Sequence, residues 1–136
     1  MDVEVRLHAD EVERYRLQGR MVPAPQRVRG IVDSAAMRTC ISARTTRAML
    51  LEPVDYVTLH AALGESKSGV HHLSLQLDWR QDRPPDPVSV RAQAVPEVLG
   101  ADVLIGLDVL RLGELVLFGP DSRYELLLPR TARAAP

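Results

Sequence analysis

An acid placed at the end of an apolar run is the first feature able to do chemistry. Ile31-Val32-Asp33-Ser34-Ala35-Ala36 sets a carboxylate, a small hydroxyl residue and two small residues directly after a strand-like stretch. So little side-chain bulk leaves the Asp33 carboxylate open to a reactant, and a carboxylate can accept or deliver a proton. Taken alone, an Asp-Ser pair after a strand is usually an ordinary turn or cap. A second stretch, Val103-Leu104-Ile105-Gly106-Leu107-Asp108-Val109-Leu110, is an apolar strand meeting a glycine, where another backbone can approach closely.

The remaining reactive residue types point elsewhere. His8, His60, His71 and His72 have no compact ligand spacing, and adjacent His71 and His72 on a strand face opposite sides. The expectation is no metal site. Cys40 lies in an apolar stretch with no base beside it in sequence, which fits a buried free thiol better than a nucleophile. Gly64 and Gly69 flank Ser66-Lys67 but lack the Gly-Lys-Ser/Thr run of a phosphate loop. No organic cofactor is expected either.

The elements that must position Asp33 read mainly as strands. Apolar and polar residues alternate over 3–7, 15–18, 28–32, 54–59, 73–77, 88–93, 114–118 and 124–128. A two-residue period places alternate side chains on one face, as half-buried antiparallel strands require. Two short helices are expected: 43–50 with Ser42 as N-cap and Pro53 beyond it, and 107–112 ended by Gly113. A hairpin over 54–79 is expected to turn at 64–69, followed by a proline-stiffened loop at 81–87. The chain reads as one all-β domain over 1–129, with a disordered tail at 130–136.

Composition narrows the function classes. The 136 residues carry 17 basic and 18 acidic side chains, a formal net charge of −1, which argues against a dedicated nucleic-acid or membrane-surface protein. One cysteine excludes an intrachain disulfide scaffold. No run approaches the roughly 20 apolar residues of a membrane helix. The first residues alternate charge and valine instead of forming a signal-peptide core, so a cytoplasmic protein is expected.

Asp33-Ser34-Ala35-Ala36, the hairpin after it and Leu104-Ile105-Gly106, in that order, resemble the retropepsin-like aspartic proteases, the single-lobe retroviral-type family. The resemblance runs from about residue 27 to 129 and includes the short helix after Gly106 and a final strand at 124–128. It implies a closed acid-protease barrel with one lobe per chain. It also implies that Asp33 is the catalytic aspartate and that Ser34 braces the active-site loops. Leu104, Ile105 and Gly106 would form the supporting strand and loop, and His60, Ala62, Leu63 and Gly64 would belong to a flap over the substrate. One departure stands out. Ala35 occupies a position where the family usually has glycine, which leaves room for substrate and permits unusual backbone angles.

Aspartic proteases need two carboxylates, about 3 Å apart and sharing one proton, to activate water and polarise the scissile carbonyl. This chain offers one suitable motif. The resemblance therefore implies a homodimer with Asp33 of each copy at a two-fold axis, knitted together by terminal strands 3–7 and 124–128 through their free edges. The implied substrate is an extended peptide. The competing function is a catalytically inactive dimerisation or peptide-binding module, with Ala35 as the mark of lost activity. An unrelated small β-barrel is the third reading. An ion pair between Arg38 and Asp108 is expected to brace the Asp33 loop.

Overall fold

A computed structural model describes residues 1–78 and 85–129. The expected end of the hairpin at Trp79, much of the 81–87 loop and the tail at 130–136 lie outside the described residues.

Alternation builds the sheet. In β1 (Asp2–Leu7) Val3, Val5 and Leu7 point into the core at 0%, 0% and 8% exposure, while the residues between them are partly or fully exposed. The strands β2 (Gln26–Val32), β3 (Cys40–Ser42), β4 (Asp55–Ala61), β5 (Gly64–Leu77), β6 (Val88–Val95) and β7 (Val103–Ile105) join β1 in one sheet, in the order β1-β2-β7-β3-β6-β5-β4. The sheet closes because β1 also pairs with β5, Val3 opposite Leu77 through Leu7 opposite Leu73. Six strands thus form a barrel, and β4 continues outward on the first half of β5. The fold is all-β, as expected. Closure also corrects the dimer scheme: 3–7 has partners on both sides and offers no free edge.

Inside the barrel Ile41, Leu73, Leu75, Val88, Val103, Ile105 and Val109 are essentially inaccessible. Truncating a residue such as Ile105 to alanine costs about 2–5 kcal/mol through lost transfer energy and the cavity left behind.

Among the described residues three α-helices decorate the barrel. Two were legible: α2 (Ala43–Ala48), whose Ser42 cap accepts the Thr45 N–H at 3.2 Å, and α3 (Leu107–Leu110) after Gly106. The third, α1 (Ala9–Leu17), overturns the strand expected at 15–18. His8 caps it through Nδ1, acidic Asp10 and Glu11 sit in its first turn, and Arg14 and Arg16 in its last, each the sign the helix dipole favours. Gly19 at φ +67° ends it in the left-handed region. Tyr15 anchors α1 in the core at 1% exposure, its hydroxyl accepting the Glu52 N–H at 2.9 Å.

The β4–β5 hairpin turns earlier than expected. Ala61 pairs with Gly64, so the turn is Ala62-Leu63, and Glu65 to Lys67 is exposed strand paired with β4, with Ser68 buried after it. Gly64 takes φ +128°, which a residue with a side chain rarely adopts, and this is where the glycine is required. Residues 114–118 and 124–128, both expected as strands, form a separate hairpin of β8 (Glu114–Phe118) and β9 (Arg123–Leu127). Its Leu115 and Leu126 pack against the barrel core. No helix described is long and apolar enough to cross a membrane.

Candidate active site

The site is made where one strand is inserted between two others. β7 lies between β2 and β3, parallel to the first and antiparallel to the second, with Val32 beside Ile105 and Cys40 beside Leu104. Because β2 and β7 run the same way, Asp33 and Gly106 leave the barrel at the same end. Asp33 donates its backbone N–H to the Ile105 carbonyl at 3.0 Å, and Leu107 donates to the Ala36 carbonyl at 2.8 Å. Two sequence segments some seventy residues apart thus become one stitched pair of loops.

Within the first loop the carboxylate is oriented by its own backbone. Asp33 Oδ1 accepts the Ala35 N–H at 2.9 Å, and the Asp33 carbonyl accepts the Ala36 N–H at 3.3 Å. Asp33 is half-buried, and Ser34 and Ala35 are exposed. Ala35 is not at positive φ; among the described non-glycine residues only Leu50 and Ser122 are. The unusual backbone angle expected to demand glycine at this position is absent, so the methyl group of Ala35 causes no strain.

Behind the loop lies a hydrogen-bonded hinge that sequence reading did not find. Thr39, with no exposed surface, donates its hydroxyl to Asp108 Oδ1 at 2.8 Å and its N–H to the same oxygen at 2.9 Å. The Thr39 hydroxyl also accepts the Gly106 N–H at 3.2 Å. The expected ion pair between Arg38 and Asp108 is not among the described contacts. The two segments are neighbours as anticipated, but the residue beside Arg38 takes the carboxylate.

Gly106 is required by space. A Cβ there would stand 2.5 Å from the Arg38 carbonyl carbon and 2.6 Å from its oxygen, closer than real contacts allow. Cys40, half-buried nearby, has its thiol pKa pushed up by burial and then by the charges of Asp108 and Asp33. It is a poor nucleophile in that setting, in keeping with the expectation from sequence.

Asp33, Ser34, Ala35, Ala36, Leu104, Ile105 and Gly106 are therefore gathered at one end of the barrel. The hairpin residues form their own group. His60 Nδ1 lies 3.0 Å from Glu65 Oε1 across β4 and β5, Ala62 and Leu63 make the turn, and Leu63 is fully exposed. No described hydrogen bond joins them to the Asp33 loop.

A further clamp holds the entry to β7. Asp102 accepts from the Arg44 guanidinium at 2.5 Å, the Thr45 hydroxyl at 3.2 Å and the Arg29 N–H at 3.3 Å. It ties β2, α2 and β7 together beside the loops.

No family model matches the sequence, and no curated protein matches it. Among solved structures, the solution structure of Simian Foamy Virus (mac) protease is similar to this chain with a TM-score of 0.47 and 15% identity, over 78% of this chain and 87% of that one.

Proposed function

We propose that the chain is one half of an aspartic endopeptidase, in which Asp33 from each of two copies forms the catalytic dyad. The observation that carries this reading is the pair of stitched loops: a carboxylate fixed by the Ala35 N–H, beside exposed Ser34 and Ala35, at the end of parallel β2 and β7. In the proposed dimer one carboxylate takes a proton from water while its protonated partner polarises the peptide carbonyl. Ser34 would brace one loop against the other. The substrate would lie extended beneath the β4–β5 hairpin, its backbone bonding to strand edges and its alternate side chains filling pockets. Cleavage is expected to be fastest in mildly acidic solution, where a coupled dyad holds one proton.

Ala35 favours a second reading, a dimeric module of the same fold without activity. Since its backbone is unstrained, its methyl group would act on the space left for substrate. Incubating the chain with an unstructured protein, alongside Asp33→Asn and Ala35→Gly, separates the readings. An active wild type and an inactive, folded Asp33→Asn support the protease. Cleavage gained only with Ala35→Gly supports the module, and cleavage unaffected by Asp33→Asn overturns the dyad.

A further inference from the structure

Two histidines that sequence spacing kept apart meet on the opposite side of β5 from β6. His8 follows β1 and caps α1, and its N–H donates to the His72 carbonyl at 3.2 Å, continuing the β1–β5 ladder by one position. The imidazoles stack with centroids 3.7 Å apart and planes 11° from parallel. Asp10 adds a carboxylate 3.5 Å from His8 Nδ1. One donor atom from each of His8, Asp10 and His72 falls within 4.8 Å of the other two.

We propose that His8, Asp10 and His72 bind one divalent transition-metal cation of the zinc class, with water completing the coordination. Two imidazole nitrogens and one carboxylate oxygen are the donor set such borderline cations favour over magnesium or calcium. Metal–donor bonds of about 2.0–2.2 Å in a tetrahedron place donors about 3.4 Å apart, which the His8–Asp10 pair already meets. The His72 Nε2 lies 3.1 Å from the Ser89 hydroxyl. If that nitrogen carries the proton, Nδ1 is left as the ligand, the outer-sphere arrangement typical of metal-bound histidine.

The site closes by small movements. Lone pairs lie in the ring planes, so stacked rings do not converge on one point, and His72 must tilt out of the stack to complete the site. His8 Nδ1 must release the Asp10 N–H, which it now accepts at 3.2 Å. The surrounding charges are mixed. His8 and Arg91 face His72 on one side of the balance and the carboxylates of Asp10 and Glu11 on the other. A bound cation would pin the start of α1 to β5, the strand that continues into the β4–β5 hairpin.

The test is titration of the full chain with Co²⁺, read by its visible absorption, and with Zn²⁺ by calorimetry. Asp10→Asn, His8→Gln and His72→Ala are compared with His60→Ala as a control. The Asp10 side chain is 79% exposed, so its substitution leaves the fold intact and decides the matter even if His72→Ala unfolds. The expected result is saturable one-to-one binding, weakened more than about tenfold by Asp10→Asn and by His8→Gln and unchanged by His60→Ala. The ring nitrogen resonances of His8 and His72 should shift on adding Zn²⁺. No saturable binding tighter than about 1 mM, or binding indifferent to both Asp10→Asn and His8→Gln, overturns the site.

Discussion

A methyl group on Gly106 would stand 2.5 Å from the carbonyl carbon of Arg38. That approach lets the end of β7 lie against the segment leaving the Asp33 loop, so one missing side chain fixes the spacing of the two loops. Gly106→Ala is expected to destabilise the chain by about 1–3 kcal/mol or more, because the obstacle is backbone and cannot rotate away. Denaturant unfolding measures it; an unchanged midpoint would show that the two segments part readily.

Asp102 makes stability depend on pH. Burial alone would raise its pKa, but hydrogen bonds from Arg44, the Arg29 N–H and Thr45, with the Arg44 charge, hold it below the ordinary carboxylate range. A group whose pKa is lower folded than unfolded stabilises above its unfolded value, about 3.9, and loses that contribution as pH falls through the folded value. The stability gap between wild type and Asp102→Asn is expected to be full at neutral pH and to shrink below about pH 5. A gap that widens on acidification would contradict the sign. Arg44 is largely exposed, so added salt should narrow the gap as well.

Leu63 tests whether the β4–β5 hairpin acts as a flap. It is fully exposed in the turn of the β4–β5 hairpin, so Leu63→Ser should leave unfolding within about 0.5 kcal/mol of wild type. If the hairpin closes over substrate, the same change should lower kcat/KM for peptide hydrolysis severalfold. Loss of stability without loss of activity would place Leu63 in a structural role.

How much of this could be read beforehand depended on the range of the signal. Alternation in Val3, Val5 and Leu7, or in Leu73, Leu75 and Leu77, is a local consequence of burial on one face, and those strands lie where expected. Tyr15-Arg16-Leu17-Gln18 also alternates, but four residues do not separate periods of 2 and 3.6. The capping residue of α1, His8, was not recognised as one. At the hairpin, Gly64 and Gly69 looked like the tip, whereas the turn is Ala62-Leu63 and Gly69 pairs with Tyr56 in mid-strand. The candidate site divides in the same way. Asp33 and Gly106 were singled out by the order of motifs that carries the family resemblance, and space constrains the residue type at Gly106. The Thr39–Asp108 hinge and the His8–His72 stack depend on strand insertion and closure, which leave no trace in local spacing.

If Asp33 acts only across two chains, as proposed, mixing chains reveals it. Wild type and Asp33→Asn are combined in varied proportions, denatured together and refolded so that they pair at random, and hydrolysis of an unstructured protein is followed at constant total chain. Only dimers with two aspartates would cleave, so the rate should fall as the square of the wild-type fraction, to roughly a quarter at equal amounts. A linear fall to about half, as independent single-chain sites would give, or a rate indifferent to the variant, would contradict the account.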